Sequence, residues 1–167
     1  MKTIASSLFA AALTLSPSIL FAEPAVKAAA ETKPAAEEKK ADIEVTVSCN
    51  DTMQFDKKEI EAKAGQTVKL TLKNAGQLPK AAMGHNLVVL NKGANLNTWA
   101  QKAMQAAGTE FIPADEESKK AILAHTKLLG PGEEDSVTFT VTEAGDYEFL
   151  CSFPGHFALM KGKIVVK

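Results

Sequence analysis

The sequence contains no arginine, because all nineteen of its basic residues are lysine, and twenty acidic residues nearly balance them. Arginine is the side chain that recognises phosphates and base edges through two parallel hydrogen bonds. The formal net charge of −1 also lacks the basic excess that is typical of nucleic-acid-binding domains. We therefore exclude a nucleic-acid partner.

The chain also has no long, strongly apolar run. The apolar stretch from Ile4 to Leu15 follows Lys2 and is too short for a transmembrane helix, but it matches the apolar part of a secretory signal. We predict a signal peptide over residues 1–22, ending at the small residue Ala22. No cysteine follows it to accept a lipid, so we expect a free, exported protein in the periplasm, without a membrane anchor.

Large apolar residues are almost absent from the next segment, residues 23–41. Its sequence, EPAVKAAAETKPAAEEKKA, is a low-complexity run of alanine, glutamate, lysine and proline. Such a composition buries too little apolar surface to offset the entropy of folding. We predict a disordered linker over residues 23–41 and one folded domain over residues 42–167.

From Asp42 onward, apolar residues alternate with polar ones, as in strands that bury one face. The alternation places Cys49 inward, as a free and buried thiol. Residues 87–90 form a continuous apolar run, which indicates a strand that is buried on both faces. Strands are predicted in six places, at residues 43–49, 68–72, 87–90, 137–141, 147–151 and 164–166. Many short strands separated by turns are typical of an all-β sandwich or barrel.

One segment between these strands has helical spacing instead. Helix-forming residues occupy Asn97–Ala107 and Asp115–His125, and acidic residues lie where the first turn of the second segment begins. We predict an insertion of one or two short helices. Trp99 is interpreted as a packing residue between this insertion and the sandwich.

Three side chains with soft or borderline donor atoms lie within ten residues near the end of the chain: Cys151, His156 and Met160. Pro154-Gly155 between them is a turn sequence that folds the loop back, so that the three side chains face one point. A thiolate, an imidazole and a weak thioether suit copper, and a blue-copper electron-transfer site adds a second histidine. His85 is the candidate for that fourth ligand.

The neighbours of His85 strengthen this interpretation. Gly84 lets the backbone approach a metal closely and offers it a carbonyl group. Asn86 is placed to hydrogen-bond to the loop that carries Cys151 and so to hold the ligands in orientation. The backbone N–H groups of Asn86 and Phe153 are available to the sulfur, whereas proline has none to offer.

The second cysteine, Cys49, allows a competing interpretation. A disulfide between Cys49 and Cys151 is the one intramolecular pairing available, and it stays open as an alternative to the metal site. It leaves the spacing of His156 and Met160 without a reason. His125 is interpreted as an exposed side chain with no required role.

Four segments resemble the azurin family of small blue-copper proteins: NDTMQF (50–55), PKAAMGHN (79–86), AHTKLLGPGEEDSVTF (124–139) and CSFPGHFALMKG (151–162). The resemblance extends from about Asp42 to Lys167. It implies a cupredoxin Greek-key β-sandwich with a short helical insertion between strands, holding one copper ion. It also implies His85, Cys151 and His156 as equatorial ligands, Met160 as the axial ligand, and the Gly84 carbonyl as a weak fifth contact. Asn86, Ser152 and Phe153 are expected around these ligands.

The resemblance further implies an apolar docking surface around the exposed edge of His156. We call it the docking patch; its residues are Leu78, Met83, Phe153, Pro154, Ala158 and Leu159. Redox proteins are the expected partners, in particular c-type cytochromes or a periplasmic reductase or oxidase. The protein is expected to be a monomer.

The sequence departs from the family in three places. Ile43 and the turn at residues 64–66 stand where azurins generally have a disulfide, Leu87 replaces a common core tryptophan, and Asn74 replaces a titrating histidine found in some members. None of these positions belongs to the predicted ligands.

The expected function is one-electron transfer by a copper ion that cycles between Cu(I) and Cu(II). A copper reductase or oxidase would need further histidines for a second copper centre. The chain has three histidines in all, and two of them are already assigned to the predicted site, so only His125 would remain. We therefore expect no enzymatic activity. A protein that delivers copper rather than electrons remains the alternative.

Overall fold

The computed structural model describes residues 40–167. The predicted signal peptide (1–22) and residues 23–39 of the predicted linker therefore lie outside the described residues. Within the described range, none of the helices has the length and apolar character needed to cross a membrane.

The described part of the chain forms nine strands in two sheets. Their bounds are β1 Ile43–Asn50, β2 Gln54–Phe55, β3 Glu59–Ala62, β4 Thr67–Asn74, β5 Val88–Leu90, β6 Ile122–His125, β7 Glu134–Thr140, β8 Gly145–Leu150 and β9 Lys161–Val166. One sheet has the order β2-β1-β4-β7 and the other the order β3-β9-β8-β5-β6. Pairs such as β4 with β7, distant in sequence but adjacent and antiparallel, are typical of Greek-key connections. The predicted all-β sandwich is confirmed.

The alternating residues of both sheets meet in one core. Val47, Leu70 and Leu72 from the first sheet and Phe149 and Ile164 from the second are fully buried in the same cluster. Apolar burial of this kind supplies most of the stabilisation of a sandwich. The six predicted strands are all present, and β2, β3 and β6 were not predicted.

Strand β5 is buried on both faces, as its continuous apolar run predicted. Val89 packs in the core between the sheets, whereas Val88 and Leu90 face the helical insertion. There they pack with Trp99, whose indole N–H donates to the carbonyl of Ser118 at 3.1 Å. The predicted packing role of Trp99 is therefore confirmed.

Three short helices lie within the described residues: α1 Lys80–Met83, α2 Leu96–Ala103 and α3 Glu116–Ala121. The side chains of Asn95 and Asp115 cap the last two, accepting the backbone N–H groups of Thr98 at 2.9 Å and Ser118 at 3.1 Å. The helical insertion predicted between strands is present.

The predicted bounds of the insertion were wrong at two ends. The first helix ends at Ala103 rather than at residue 107, and residues 122–125 form strand β6 instead of continuing the second helix. Strand β6 pairs with β5, joining Val88 to His125 and Leu90 to Ile122. The backbone groups on that side of β5 need partners, and sheet pairing therefore overrides the helical propensity of this short segment.

Both cysteines are free, so the alternative disulfide is not formed. Cys49 is 3% exposed, and its thiol donates to the carbonyl of Lys73 at 3.6 Å. Burial raises the pKa of Cys49 to about 12, and unfavourable electrostatic interaction with Cys151, Asp56 and Asp51 adds to the rise.

Cys49 should therefore resist thiol reagents in the folded, metal-loaded protein. Only the thiolate reacts, and both burial and the raised pKa suppress it at neutral pH. Titration with a coloured disulfide reagent should detect no rapidly reacting thiol in the folded state and should label Cys49 after denaturation. Rapid labelling of Cys49 in the folded state would contradict its placement in the core.

Candidate metal centre

His85 lies in the short connection between α1 and β5, and the backbone holds it there on both sides. Its N–H donates to the carbonyl of Leu129 at 3.1 Å, and the N–H of Leu129 donates back to the carbonyl of His85 at 2.7 Å. This isolated bridge fixes His85 in place, although His85 is not part of any of the nine strands.

The other candidate ligands lie in the loop between β8 and β9. Gly155 has the left-handed φ of 82° that reverses the chain, as its place in a Pro-Gly turn predicted. The N–H of Met160 then donates to the carbonyl of His156 at 2.8 Å, and the N–H of Cys151 donates to the carbonyl of Met160 at 3.0 Å. These bonds bring the beginning and the end of the loop together.

Fold and loop place His85, Cys151 and His156 in one buried cluster, in which their possible ligand atoms all lie within 4.8 Å of one another. The Cys151 sulfur is 3.7 Å from Nδ1 of His156, and the two imidazole ring centres are 5.0 Å apart. Metal bonds to nitrogen and sulfur of roughly 2.0–2.3 Å allow such separations around a single ion. The cluster therefore has the size of a site for one metal ion.

The hydrogen bonds of the two imidazoles also fit a metal. Both ring nitrogens of His85 are buried and have no hydrogen-bond partner of normal geometry. The backbone of Asn50 lies near enough to raise the pKa of His85 slightly against the effect of burial. Buried polar atoms are nearly always satisfied, so such nitrogens call for a ligand. Burial lowers the pKa of His85, and burial together with the charge of His85 lowers the pKa of His156 to about 4. Both rings are therefore neutral at pH 7 and offer lone pairs.

The thiol of Cys151 is also suited to bind a metal ion. Burial raises its pKa to about 11, while hydrogen bonds from the backbone of Asn86 and Phe153 oppose that rise. Without a cation the thiol is protonated at pH 7, whereas a metal ion at this position would favour the thiolate. Binding of a metal to this set is therefore expected to release a proton.

A reciprocal pair of hydrogen bonds joins the two chain segments that carry the cluster. The N–H of Ser152 donates to Oδ1 of Asn86 at 2.8 Å, and Nδ2 of Asn86 donates to Oγ of Ser152 at 2.7 Å. Both residues are buried. The pair fixes His85 relative to Cys151 in the way the sequence led us to expect of Asn86.

The sequence model of the copper-binding proteins of the plastocyanin/azurin family matches residues 41–167. The chain belongs to this family. Its relatives include an azurin of Alcaligenes faecalis, 44% identical over 126 residues that cover 72% of this chain and 95% of that protein. Another is the outer membrane protein H.8 of Neisseria gonorrhoeae, 44% identical over 124 residues. That match covers 72% of this chain and 66% of the H.8 protein, just under two thirds of its length.

A solved structure agrees with the family assignment. The reduced auracyanin of Roseiflexus castenholzii is 34% identical, with a TM-score of 0.67, over 77% of this chain and 99% of that one. The fold is therefore the cupredoxin fold of the plastocyanin/azurin family. Copper, the metal of this family, is the ion that the His85–Cys151–His156 cluster is suited to hold.

The two remaining residues of the predicted ligand set are also buried at this end of the sandwich. Met160 is 0% exposed. A Cβ atom at Gly84 would lie 2.7 Å from the carbonyl oxygen of Lys80 and 3.0 Å from the side chain of Leu128. Only glycine therefore fits between α1 and the segment that pairs with His85.

The residues of the docking patch lie on or near the surface. Leu78 is 45% exposed and Leu159 is 55% exposed, whereas His156 itself is only 4% exposed. Pro154 and Ala158 are exposed, and Met83 and Phe153 are half-buried. His125 is exposed on β6, as expected, and its Nδ1 lies 3.0 Å from the carbonyl of Thr126.

Sequence reasoning missed three residues that lie around the cluster. Phe111 packs its ring against Phe153, Glu110 contacts the backbone of Leu128, and Leu128 fills the space beside Gly84. The only signal was an isolated phenylalanine in the polar stretch GTEFIP (108–113). Nothing in the spacing pointed to the site.

The Asn86–Ser152 pair leads to a prediction with a built-in control. Asn86→Ala removes both hydrogen bonds and strands the buried N–H of Ser152, so copper affinity should fall by about 10- to 100-fold. Ser152→Ala keeps the bond from its backbone N–H to Asn86 and should cost much less. Competition with a chelator measures both affinities, and equal losses in the two variants would contradict the role of the amide acceptor.

Proposed function

We propose that this protein is an electron carrier that holds one copper ion between His85, Cys151 and His156, with Met160 as axial ligand and the Gly84 carbonyl as a weak further contact. The observation that carries the proposal is the buried cluster, in which the imidazole nitrogens of His85 have no hydrogen-bond partner of normal geometry. One thiolate, two imidazoles and a distant thioether are the ligands of blue-copper electron-transfer sites.

Copper in this site supplies one-electron chemistry through its Cu(I) and Cu(II) states. The protein contributes a set of ligands whose positions are fixed beforehand by the Asn86–Ser152 pair and by the backbone bridge at His85. Complete burial of Cys151 and Met160 excludes water from the ligand sphere. We infer that little rearranges on electron transfer and that no substrate bond is made, so the protein is not an enzyme.

The docking patch is our proposed site of electron exchange. Two exposed leucines, Leu78 and Leu159, are the large apolar residues of this surface, and clustered exposed apolar side chains mark interaction sites. We propose that a monomer docks through it to redox proteins, such as c-type cytochromes or a periplasmic reductase or oxidase. Small apolar interfaces suit such brief encounters.

Copper delivery is the second candidate, and burial of the site disfavours it. His85 and Cys151 are 0% exposed, so an acceptor protein has no access to them without opening of the structure. Cyclic voltammetry tests the choice: an electron carrier gives a reversible wave and keeps its copper in the presence of a Cu(I) chelator. Rapid loss of the reduced ion to the chelator would favour delivery.

We further propose that residues 1–22 direct export, that residues 23–41 are a linker, and that the folded domain works in the periplasm. The leader-like sequence supports export. The H.8 relatives are named as outer membrane proteins, which provides the competing location. Cell fractionation followed by mass measurement of the mature chain decides between them, since a soluble periplasmic form and a membrane-bound form separate at the first step.

Met160→Gln should lower the reduction potential while the protein stays blue. A thioether stabilises Cu(I), whereas the harder amide oxygen favours Cu(II). Voltammetry of the two proteins at one pH measures the shift. An unchanged or raised potential would remove Met160 from the axial position.

A further inference from the structure

Two consecutive residues of the helical insertion have a left-handed backbone although neither is glycine. Glu110 has φ 53° and Phe111 has φ 64°, immediately after the 3-10 turn at Ala107–Thr109. This conformation is unfavourable for residues that carry a Cβ atom and persists only where the surroundings enforce it. Backbone hydrogen bonds that close the turn contribute here, since the N–H of Phe111 donates to the carbonyl of Ala106 at 2.9 Å. The contacts of the two side chains show what this conformation positions.

The carboxylate of Glu110 bridges the two segments that enclose His85. One oxygen accepts the N–H of Leu128 at 3.3 Å, and the other lies 3.5 Å from the ammonium group of Lys80 in α1. The contact with Lys80 joins exposed groups and contributes little, whereas the Leu128 N–H belongs to a buried residue. The bond to Leu128 is therefore the one that should matter.

Leu128 transmits this contact to His85. Its side chain lies 3.0 Å from the position a Cβ atom of Gly84 would occupy, so it packs directly on the backbone before His85. The next residue, Leu129, forms the two backbone hydrogen bonds to His85. Glu110 thus anchors the segment against which His85 is held.

Phe111 reaches the other histidine. Its ring packs edge-on against Phe153, with ring centres 5.1 Å apart and planes at 69°. The ring of Phe153 in turn lies against the imidazole of His156, with ring centres 4.7 Å apart and planes at 39°. Edge-on aromatic pairs prefer a defined orientation, so Phe111 restricts the position of Phe153.

We propose that the strained Glu110–Phe111 turn is a positioning element for the metal centre, holding His85 through Leu128 and Leu129 and holding His156 through Phe153. The inference rests on the proposed copper site. It assigns to the helical insertion a role in the properties of the centre, although no residue of the insertion is a candidate ligand.

The test for Glu110 separates positioning from stability. Glu110→Gly removes the carboxylate but also relieves the left-handed strain, so the melting temperature of the metal-free protein should hold or rise. Glu110→Ala removes the carboxylate and keeps the strain, so its melting temperature should fall. Both should release copper about tenfold faster to a chelator, the low end of effects seen for groups that support ligands.

Glu110→Gln keeps an oxygen acceptor for the Leu128 N–H and should restore the wild-type release rate. Amide exchange of Leu128 in the metal-free protein supplies a readout that needs no copper: it should be faster in the alanine and glycine variants and normal in the glutamine variant. Glu116→Ala, which removes an exposed carboxylate paired with Lys119 in the same insertion, is the matched control and should change none of these quantities.

Phe111→Ala should expose Phe153 and His156 to water, and it should therefore lower the reduction potential and broaden the visible absorption band. Phe111→Tyr keeps the ring edge and should behave as the wild type.

The outcomes separate this inference from the proposed function. A wild-type protein that binds no copper would overturn the copper site itself. The positioning role would be wrong if the copper release rates of the Glu110 variants followed their melting temperatures instead of the presence of the side-chain oxygen that accepts the Leu128 N–H. It would also be wrong if Phe111→Ala left the reduction potential and the visible spectrum unchanged.

Discussion

Replacing Cys151 with serine should abolish the blue colour of the copper-loaded protein. Charge transfer from a thiolate to Cu(II) produces that colour, and Cys151 is the only thiol in the buried cluster with His85 and His156. Serine keeps the size of the side chain but offers a hydroxyl group that is a poor, hard ligand for copper. The visible spectrum after addition of Cu(II) measures the result.

Cys49 provides the control for this experiment. It is the second free thiol, and it hydrogen-bonds to the carbonyl of Lys73 rather than facing the cluster. Cys49→Ala should therefore stay blue. If Cys151→Ser kept the colour, or if the wild type bound copper and remained colourless, Cys151 would not be the copper ligand.

The metal cluster was predictable because its information is local. Cys151, His156 and Met160 are separated by one turn whose Pro-Gly sequence folds back on itself, so spacing alone places them together. His85 is distant in sequence, but the Gly-His-Asn neighbourhood carried a signal of its own. The reciprocal hydrogen bonds between Asn86 and Ser152 explain why an asparagine follows His85.

The errors arose where tertiary pairing decides the structure. Ile122 to His125 follow a helix and have residues compatible with one, yet they pair with β5, whose free edge the local sequence does not reveal. The short strands β2 and β3 likewise depend on partners in β1 and β9.

The positions of Glu110 and Phe111 were unpredictable for a related reason. Their left-handed backbone contradicts the propensity of both residues, and it depends on backbone hydrogen bonds that close the 3-10 turn as well as on the contacts with Leu128 and Phe153. Local preference and observed structure disagree here, and such disagreements concentrate at sites with a function.

A single charge in the docking patch should slow electron exchange strongly. Ala158 is exposed in the 3-10 turn that begins at His156, and Met83 is half-buried at the end of α1. Ala158→Asp or Met83→Lys places an unpaired charge where an apolar partner surface must exclude water. Electron exchange with a c-type cytochrome, or self-exchange, should slow by about tenfold or more, since each 1.4 kcal/mol of lost association is a factor of ten.

Two features of the result decide whether the patch docks partners or only shields the metal. A docking surface predicts slower association at several salt concentrations with an unchanged spectrum and potential, because neither side chain is a candidate ligand. A shield against water predicts the reverse, since a charge beside His156 would then alter the potential without affecting encounter. Thr138→Asp, an exposed position on β7 at the edge of the opposite sheet, controls for charge alone. Stopped-flow rates equal to those of this control in both patch variants would assign electron exchange to another face of the protein.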